Sequence, residues 1–429
     1  MSERYQQSEA LLARALKTIP LGAQTFSKSQ TQYPFGVSPY FISKAQGCRV
    51  WDVDGNEYID FVSSLAAITL GYNDPDVNAA VHAQVDAGVI FSLPHRLEME
   101  VAERLVAMVP CAEQVRFGKN GSDATAGAVR LARAYTQRER VAVCGYHGWQ
   151  DWYIGSTARH RGVPEAVRAL THSFPFNDLA ALEALLAAHP GEFACVMLEP
   201  MNVLAPSPGY LAEVRACAHR HGALLVFDET ITGFRFANGG AQAYFGVTPD
   251  LATFGKGLAN GYPLSAIVGR ADVMALMSEI FFSFTFGGET LSLAAAAATL
   301  DKLEREPVIN TLASLGEQLK DGLNALIAEQ GLSDYLACSG HPSWTFLLIK
   351  DAPGCTQWEA KTLLMQEMLA RGMLWIGTHN LNYAHQSADI AALLAAYAEV
   401  LPLLKQAIAS ARPRDFLRCE PLQALFKIR

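Results

Sequence analysis

Residues 250–266, DLATFGKGLANGYPLSA, place a lysine at the end of a short apolar segment, with a glycine on each side. Residues 251–254 are apolar enough to form a buried strand, whereas a charged lysine loses hydration when it is buried. The flanking glycines keep the space around Lys256 open and let a ligand approach the backbone closely. We therefore interpret Lys256 as a functional amine at a strand end.

Two earlier apolar runs also end in charged residues: CVMLE ends at Glu199, and LLVFDE ends at Asp228 and Glu229. Asp228 lies 29 residues after Glu199 and 28 residues before Lys256. Because a strand–helix–strand unit takes about 30 residues, the three groups are expected at one carboxyl-end edge of a sheet. Open α/β sheets bind ligands at that edge. A single Asp after a strand is more often a loop cap, so the regular spacing carries the prediction.

The wider pattern of the chain supports an α/β fold. Residues 48–61 read as a hairpin around Asp54-Gly55, and from about residue 98 helical and strand-like segments alternate. This alternation predicts a mostly parallel sheet with helices on both faces. We predict three regions: an N-terminal segment (1–60) that packs with the small domain, a large cofactor-binding domain (61–310) and a small C-terminal α/β domain (311–429).

Two further motifs could contribute to a site. Gly121-Ser122 opens a helix, whose free N–H groups and dipole suit a phosphate, although a plain N-cap explains the same residues. Tyr146 and Trp149 lie in the aromatic cluster YHGWQDWY and could stack on a planar ring, although aromatic residues are more often part of a core.

Together these groups supply an amine, a carboxylate, an anion cradle and an aromatic face. Pyridoxal 5′-phosphate (PLP) needs this set. Its aldehyde captures a lysine amine as a Schiff base, and its pyridine nitrogen needs a buried carboxylate to stay protonated. The sequence therefore predicts a PLP site.

The sequence also resembles a known family. LLVFDETITGFR followed by PDLATFGKGLANGYPLSAIVG is similar to the signature of class III PLP-dependent aminotransferases, in the branch of glutamate-1-semialdehyde 2,1-aminomutase. Five further motifs occur in the order found in the family: DVDGNEYIDF, NGSDATAGAVRLAR, YHGW, LEP and TFGGETLSLAA. The resemblance covers about residues 35–395. It implies PLP fold type I, as in aspartate aminotransferase, with a large mostly parallel sheet domain and a small α/β domain.

The resemblance also implies roles for individual residues. Lys256 would carry the cofactor as a Schiff base and move the substrate proton. Asp228 would pair with the pyridinium nitrogen. Tyr146 would stack on one face of the ring, and Thr230 would lie on the other face, where the family often has valine.

The remaining implied contacts involve the phosphate and the ring hydroxyl. Gly121 and Ser122 would hold the phosphate, and Thr285 from the neighbouring subunit of a homodimer would complete its shell. Glu199 would lie near the ring hydroxyl. The active sites would then lie at the dimer interface.

The sequence departs from the aminomutase pattern at several places. The aminomutase has a substrate-binding arginine near its N-terminus, whereas the comparable stretch here, FSKSQTQYP, has Lys28 but no arginine. LANGYP stands where the aminomutase has a glycine triplet after the lysine, and GTHNLNYAH replaces an acidic segment. His379, Asn380 and Asn382 in that segment would suit a hydroxyl-rich acceptor such as a keto sugar. The alternative for these three residues is a hydrogen-bonded loop.

We therefore predict an aminotransferase that moves an amino group from an amino-acid donor, such as glutamate, to an oxo acceptor. The first alternative is an aminomutase-type isomerase, which returns the amine to the same molecule. A catalytically silent relative would have lost the lysine or the aspartate, and both are present. A nucleotide-binding enzyme without PLP is disfavoured because neither G-x-G-x-x-G after the first strand nor a P-loop is found.

Composition narrows the partners and the compartment. The net charge is −8, spread without blocks, which disfavours nucleic acid and an anionic membrane as partners. No apolar run is long enough to predict a membrane span. The eight cysteines are scattered without a C-x-x-C pair, which indicates reduced thiols and a cytoplasmic protein. We expect no metal.

Overall fold

The computed structural model describes residues 3–423. These residues form two compact units. The first unit combines the residues up to Asp74 with those from Asn310 onward, and the second comprises Pro75–Ile309.

The strands are numbered in chain order. They are β1 (Ile42–Gln46), β2 (Arg49–Asp52), β3 (Glu57–Asp60), β4 (Gln114–Gly118), β5 (Arg140–Cys144), β6 (Thr171–Ser173), β7 (Phe193–Leu198), β8 (Leu224–Asp228), β9 (Leu251–Phe254), β10 (Ser265–Gly269), β11 (Leu336–His341), β12 (Trp344–Ile349), β13 (Met373–Leu374) and β14 (Thr378–Asn380).

The helices are numbered in the same way. They are α1 (Gln6–Ala15), α2 (Ser63–Ala66), α3 (Pro75–Ala87), α4 (Arg96–Met108), α5 (Gly121–Thr136), α6 (Asp151–Ile154), α7 (Glu165–Arg168), α8 (Leu179–Ala188), α9 (Tyr210–Arg220), α10 (Gly240–Phe245), α11 (Ala271–Met274), α12 (Thr290–Arg305), α13 (Val308–Glu329), α14 (Gln357–Ala370) and α15 (Ser387–Ser410). Short 3₁₀ turns occur at Glu3–Tyr5, Pro20–Gly22, Phe26–Lys28, Lys256–Ala259, Ala275–Ser278 and Pro413–Phe416.

The second unit is built on a seven-stranded sheet with the order β4-β10-β9-β8-β7-β5-β6. The neighbours from β9 to β6 pair in parallel, whereas β10 is antiparallel to both β4 and β9. Every residue of β7, β8 and β9 is buried. That burial explains why these strands are continuous apolar runs rather than alternating ones. The predicted α/β fold with a mostly parallel sheet is confirmed.

Helix α5 packs against this sheet and contacts β7, β9 and β10. It begins with a capping box between Asn120 and Asp123, which satisfies N–H groups that the first turn leaves without intrahelical partners. Its buried face joins the core cluster formed by residues such as Ala128, Leu131 and Val226. The N-terminus of α5 is thereby fixed relative to the strand ends.

The first unit contains two smaller sheets, with the orders β1-β2-β3-β13 and β11-β12-β14. Strands β2 and β3 pair antiparallel on either side of Asp54-Gly55, as the sequence predicted. Gly55 has φ +88°, a left-handed conformation that glycine adopts without strain. Strand β13 pairs in parallel with β3, so the N-terminal and C-terminal parts of this unit share one sheet.

The element α2 is left-handed. Its four residues, Ser63 to Ala66, have φ values of 43°, 49°, 62° and 65°, and none of them is glycine. Side chains fasten this turn, since Asp60 accepts the N–H groups of Val62 and Ser63. A left-handed residue other than glycine costs roughly 1–2 kcal/mol, so the turn is strained.

Within residues 3–423, only α15 is long and apolar enough to cross a membrane, and it qualifies by length and composition alone. Its most apolar window has a mean hydropathy of 1.5, and 44% of that window is buried in the structure. The helix also packs against α14. A buried core helix of a globular protein has the same composition.

Candidate active site

The charged residues predicted from the sequence lie at or just after the ends of three neighbouring strands. Strand β8 ends at Asp228, β7 ends just before Glu199, and β9 ends two residues before Lys256. Strand β8 pairs in parallel with both β7 and β9. The three residues therefore emerge at the same carboxyl-end edge of the sheet, where α/β proteins bind ligands.

Asp228 is buried, with 4% of its surface exposed, and both of its carboxylate oxygens have hydrogen-bond partners. Oδ2 lies 2.8 Å from Nδ1 of His147. Oδ1 accepts the Thr230 hydroxyl at 2.6 Å, the Thr230 N–H at 3.1 Å and the Thr253 hydroxyl at 3.2 Å. Burial by itself raises the pKa of Asp228, but the hydrogen bond and charge of His147, together with Thr230, bring that pKa below its ordinary value. The group is thus held as a carboxylate.

His147 is a site residue that the sequence analysis missed. It is 2% exposed, and its Nε2 atom has no hydrogen-bond partner among residues 3–423. Its ring stacks on Trp152 at 6.3 Å and meets Tyr153 edge-on at 5.2 Å. The signal for this residue is the YHGW motif itself, in which the histidine directly follows Tyr146. A histidine between two large aromatic side chains is held in one orientation, which here points Nδ1 at Asp228.

Lys256 begins the 3₁₀ turn after β9 and is partly buried. Its φ of 45° lies in the left-handed region, which is uncommon for a lysine and marks local strain. A Cβ atom on the preceding Gly255 would lie 3.5 Å from the Thr230 methyl group and 3.7 Å from Cα of Gly121. The lysine, Thr230 and the start of α5 therefore converge on one small volume.

The Gly121-Ser122 turn is packed tightly between neighbouring loops. A Cβ atom on Gly121 would lie 2.9 Å from Cγ2 of Thr230, and one on Gly148 would lie 2.3 Å from Oγ of Ser122. Ser122 Oγ also accepts the Trp149 N–H at 3.3 Å. The N–H groups of Gly121 and Ser122 precede the first hydrogen bonds of the 16-residue helix α5, which begin at Asp123, so this turn can bind an anion.

Glu199 holds the loop that carries Tyr146. Its Oε2 atom accepts the Tyr146 N–H at 2.9 Å and the Asn202 side-chain amide at 3.0 Å. Gly145, with φ +116°, leaves room for this carboxylate, because a Cβ atom there would lie 2.5 Å from Oε2. The position of Tyr146 therefore depends on Glu199.

Tyr146 presents its ring at this edge, with 40% of the residue exposed. It packs edge-on against Tyr153 at 5.6 Å. Burial of the hydroxyl raises the pKa of Tyr146, and the negative charges of Asp228 and Glu199 raise it further. The phenol is neutral at physiological pH, and its exposed ring is available for stacking.

Thr285 was predicted as a site residue, but in the single chain it does not lie with the other predicted residues at the sheet edge. It lies in an exposed turn and, within residues 3–423, makes no hydrogen bond to the other predicted residues. Thr230, by contrast, lies inside the group and uses its hydroxyl on Asp228.

The prediction that His379, Asn380 and Asn382 bind a keto-sugar acceptor is not supported by their positions in the structure. His379, Asn380 and Asn382 are buried in the first unit, with exposures of 0%, 4% and 0%. His379 bonds to the hydroxyls of Thr345 and Tyr397, and burial lowers its pKa to about 3. The side-chain amides of the two asparagines donate to the Val62 carbonyl and the Ser63 hydroxyl, respectively. The hydrogen bonding matches the alternative, but His379 and Asn380 belong to strand β14 and only Asn382 lies in the loop that follows. The polar atoms of all three residues hold the unit together.

Comparisons with known proteins identify the family of the chain. Residues 32–335 match the class III aminotransferase family. The chain is 33% identical to 3-aminobutyryl-CoA aminotransferase of Cloacimonas acidaminovorans over 418 residues, covering 95% of this chain and all of the relative. It is 35% identical to glutamate-1-semialdehyde 2,1-aminomutase of Syntrophobacter fumaroxidans over 411 residues, covering 90% and 94% of the two chains.

Solved structures give the same result. FumI of Sphingopyxis sp. MTA144, determined with PLP, superposes with a TM-score of 0.88 at 30% identity, covering 96% of this chain and all of FumI. A β-phenylalanine aminotransferase from Variovorax paradoxus superposes with a TM-score of 0.81 at 26% identity, covering 94% and 95% of the two chains.

The residues at the sheet edge fit PLP. They provide an amine on a strained turn, a carboxylate kept ionised in a buried position, an open helix N-terminus and an exposed aromatic ring. This chemistry agrees with relatives that cover at least 90% of the chain. The chain belongs to the class III aminotransferases, and it is a PLP-dependent transaminase.

Proposed function

We propose that this transaminase acts on amines at carbon 3 of an acyl chain, with the corresponding 3-oxo compound as the acceptor and an amino acid such as glutamate as the donor. One observation carries the proposal: a relative that aligns over its whole length is named for 3-aminobutyryl-CoA, and a structural neighbour is named for β-phenylalanine. Both names place the amine on carbon 3.

Pre-steady-state absorbance tests this substrate class. The pyridoxal form would be mixed with 3-aminobutyrate, its thioester, β-phenylalanine, glutamate and a terminal diamine, and its conversion to the pyridoxamine form would be followed. We expect one of the 3-amino compounds to react fastest among the non-glutamate donors. Conversion by the terminal diamine at a higher rate than by every 3-amino compound would contradict the proposal. Comparison of the rates with 3-aminobutyrate and with its thioester shows whether the enzyme uses the free acid or the thioester.

The second candidate is intramolecular amine transfer, favoured by the 35% identity to an aminomutase. Glutamate 1-semialdehyde supplied without any other donor or acceptor tests it. Formation of one 5-aminolevulinate per molecule consumed would show that the enzyme is an isomerase. If no product forms, the intermolecular transamination is the reaction that the enzyme catalyses.

We also propose the roles of the site residues. When bound, PLP supplies an electron sink that stabilises negative charge on the substrate carbon. Lys256 would bind the cofactor aldehyde through Nζ and, once released, would move the proton at the substrate carbon. Asp228 would hold a proton on the ring nitrogen, and His147 would fix the orientation and charge of Asp228.

The remaining residues would hold and cover the cofactor. The N–H groups of Gly121 and Ser122 would bind its phosphate, Tyr146 would stack on one ring face, and Thr230 would close the other. Glu199 would lie near the ring hydroxyl while it holds the Tyr146 loop. On this assignment, Pro75–Ile309 would be the cofactor-binding domain.

A homodimer would complete the site through Thr285 of a second copy. In support, large apolar side chains are exposed around the segments that flank this residue and α3. They are Val89, Ile90, Phe91, Leu93, Phe281 and Phe286, with exposures between 39% and 81%. Surfaces of this kind are usually covered by a partner. Light scattering on Phe281→Asp and on the wild type tests the dimer, which we expect in the wild type and in weakened form in the variant.

A cytoplasmic location is also proposed. The eight cysteines are free thiols, and seven of them are buried, as expected for a protein that folds in a reducing compartment.

A further inference from the structure

We propose that Glu183, Cys217 and His221 form a three-ligand binding site for Zn²⁺ on the second unit. The site lies between α8, which carries Glu183, and the end of α9, which carries Cys217. The three donor atoms all lie within 4.8 Å of one another. This proposal departs from the expectation that the protein has no metal.

The geometry brings the donor atoms to a common point. The Cys217 sulfur lies 3.2 Å from Oε2 of Glu183, and Nε2 of His221 lies 2.9 Å from Oε1. Tetrahedral zinc with bonds of 2.0–2.3 Å needs donor atoms about 3.3–3.7 Å apart, and the two known distances are a few tenths of an ångström shorter. Because they involve different oxygens of Glu183, the carboxylate would rotate to present one oxygen to the ion or would bind through both. Cys217 is buried, whereas the side chains of His221 and Glu183 are 21% and 43% exposed, so an ion can reach the three donors from solvent.

The local fold explains why Cys217 and His221 share one face. They are four residues apart, and the His221 N–H donates to the Cys217 carbonyl at 3.2 Å, so the helical turn continues to the histidine. Arg138 also donates to the His221 carbonyl at 2.7 Å. Two ligands are thereby fixed on α9, and α8 packs against that helix.

The chemistry of the donors selects the ion. A thiolate, an imidazole and a carboxylate are the ligand types that zinc takes in proteins, and three of them leave a fourth position for water. The charges of the thiolate and the carboxylate sum to −2, which neutralises Zn²⁺. On binding, the S–H bond of Cys217 breaks, its proton leaves to solvent, and a Zn–S bond forms. His221 binds through the lone pair of Nε2 with its single proton on Nδ1.

One cation already competes for the site. Arg220 donates to Oε2 of Glu183 at 2.6 Å, and its side chain is 58% exposed, so it can swing into solvent. The zinc ion would replace this guanidinium at the carboxylate. Removal of the Arg220 guanidinium should therefore tighten zinc binding, whereas it would have no such effect if the three residues only formed hydrogen bonds with one another.

The position of the site indicates a structural role. His221 precedes β8, whereas Asp228 ends that strand, so roughly 15 Å of strand separates the ion from the reacting edge. The ion would tie α8 to α9, and thereby join both ends of the segment that contains β7. Binding should stabilise the folded chain without taking part in amine transfer.

Zinc affinity of the holoenzyme tests the proposal. After treatment with a chelator, wild-type enzyme and variants would be titrated with Zn²⁺ against a chromogenic zinc indicator, with thermal unfolding measured in parallel. We expect one tight equivalent per chain. Cys217→Ser and His221→Asn should each lose more than about tenfold in affinity. Arg220→Met, which keeps every ligand, should bind several-fold more tightly.

Controls make each outcome decisive. Cys419→Ser, which removes a more exposed thiol outside the site, should bind like the wild type. Zinc should raise the unfolding temperature of the wild type and Arg220→Met but not of the ligand variants. If Cys217→Ser fails to fold, Glu183→Gln replaces it, because its side chain is 43% exposed. Equal zinc affinity in the wild type and the ligand variants, or no gain in Arg220→Met, would overturn the proposal.

Discussion

His147 Nδ1 lies 2.8 Å from Asp228 Oδ2, and both side chains are almost completely buried. The pair joins the loop after β5 to the end of β8, two segments 81 residues apart. The buried carboxylate at the sheet edge keeps its charge because this imidazole and the Thr230 donors oppose the effect of burial.

His147→Ala should therefore raise the pKa of Asp228 and lower the free energy of unfolding by about 3 kcal/mol, because one partner of a buried pair is removed. The depressed pKa of Asp228 stabilises the wild-type fold above its ordinary value of 3.8, and this contribution is lost as the pH falls through the folded-state pKa. The difference between variant and wild type should thus shrink in acid. Urea unfolding at pH 7 and pH 3.5 measures it.

His172→Ala is the matched control, since this histidine is only partly buried and lies away from Asp228. A constant stability difference between His147→Ala and the wild type at both pH values would show that the imidazole acts only through packing.

Lys256→Ala should lose the visible absorbance of covalently held PLP and catalyse no amine exchange without an added amine. The reason is that the cofactor aldehyde needs the Nζ group of this residue. Absorbance spectra and borohydride labelling followed by peptide mapping check this directly. Lys28→Ala, whose lysine is exposed, should keep the absorbance. Labelling of another peptide in the wild type would contradict the assignment.

Gly121→Ala should destabilise the protein by about 1–3 kcal/mol and weaken PLP binding, because the new Cβ atom would lie 2.9 Å from the Thr230 methyl group. Gly255→Ala is the contrasting variant, since its Cβ atom meets nothing closer than 3.5 Å and its φ of −172° suits any residue. It should leave apo stability nearly unchanged but still weaken PLP binding. Calorimetry of the apoenzymes and PLP titration separate the two effects.

Ser64→Gly should stabilise the fold by about 0.5–1 kcal/mol, because glycine adopts the left-handed conformation at φ 49° without steric cost. Ser64→Ala, which removes the hydroxyl but keeps the Cβ atom, should bring no such gain. Thermal unfolding of both variants checks the prediction, and equal stability of the two would mean that the turn stores no relievable strain.

The sequence by itself determined the architecture and the charged residues of the candidate site. Buried parallel strands appear as continuous apolar runs, and a spacing of about 30 residues fixes where their ends fall. Local patterns were therefore enough to place Glu199, Asp228 and Lys256 at one edge. The motifs around them were enough to indicate PLP and the class III family.

Only the tertiary structure decided which side chains meet across long separations. His147 is hydrogen-bonded to Asp228, which is 81 residues away in the sequence. Asn382 is hydrogen-bonded to Ser63, which is 319 residues away, so this predicted substrate contact is a hydrogen bond in the core instead. Likewise, Glu183 lies within hydrogen-bond distance of Cys217 and His221 only because α8 packs on α9. Periodicity and propensity describe neighbours along the chain, whereas the partner of a buried polar group is set by packing between distant elements.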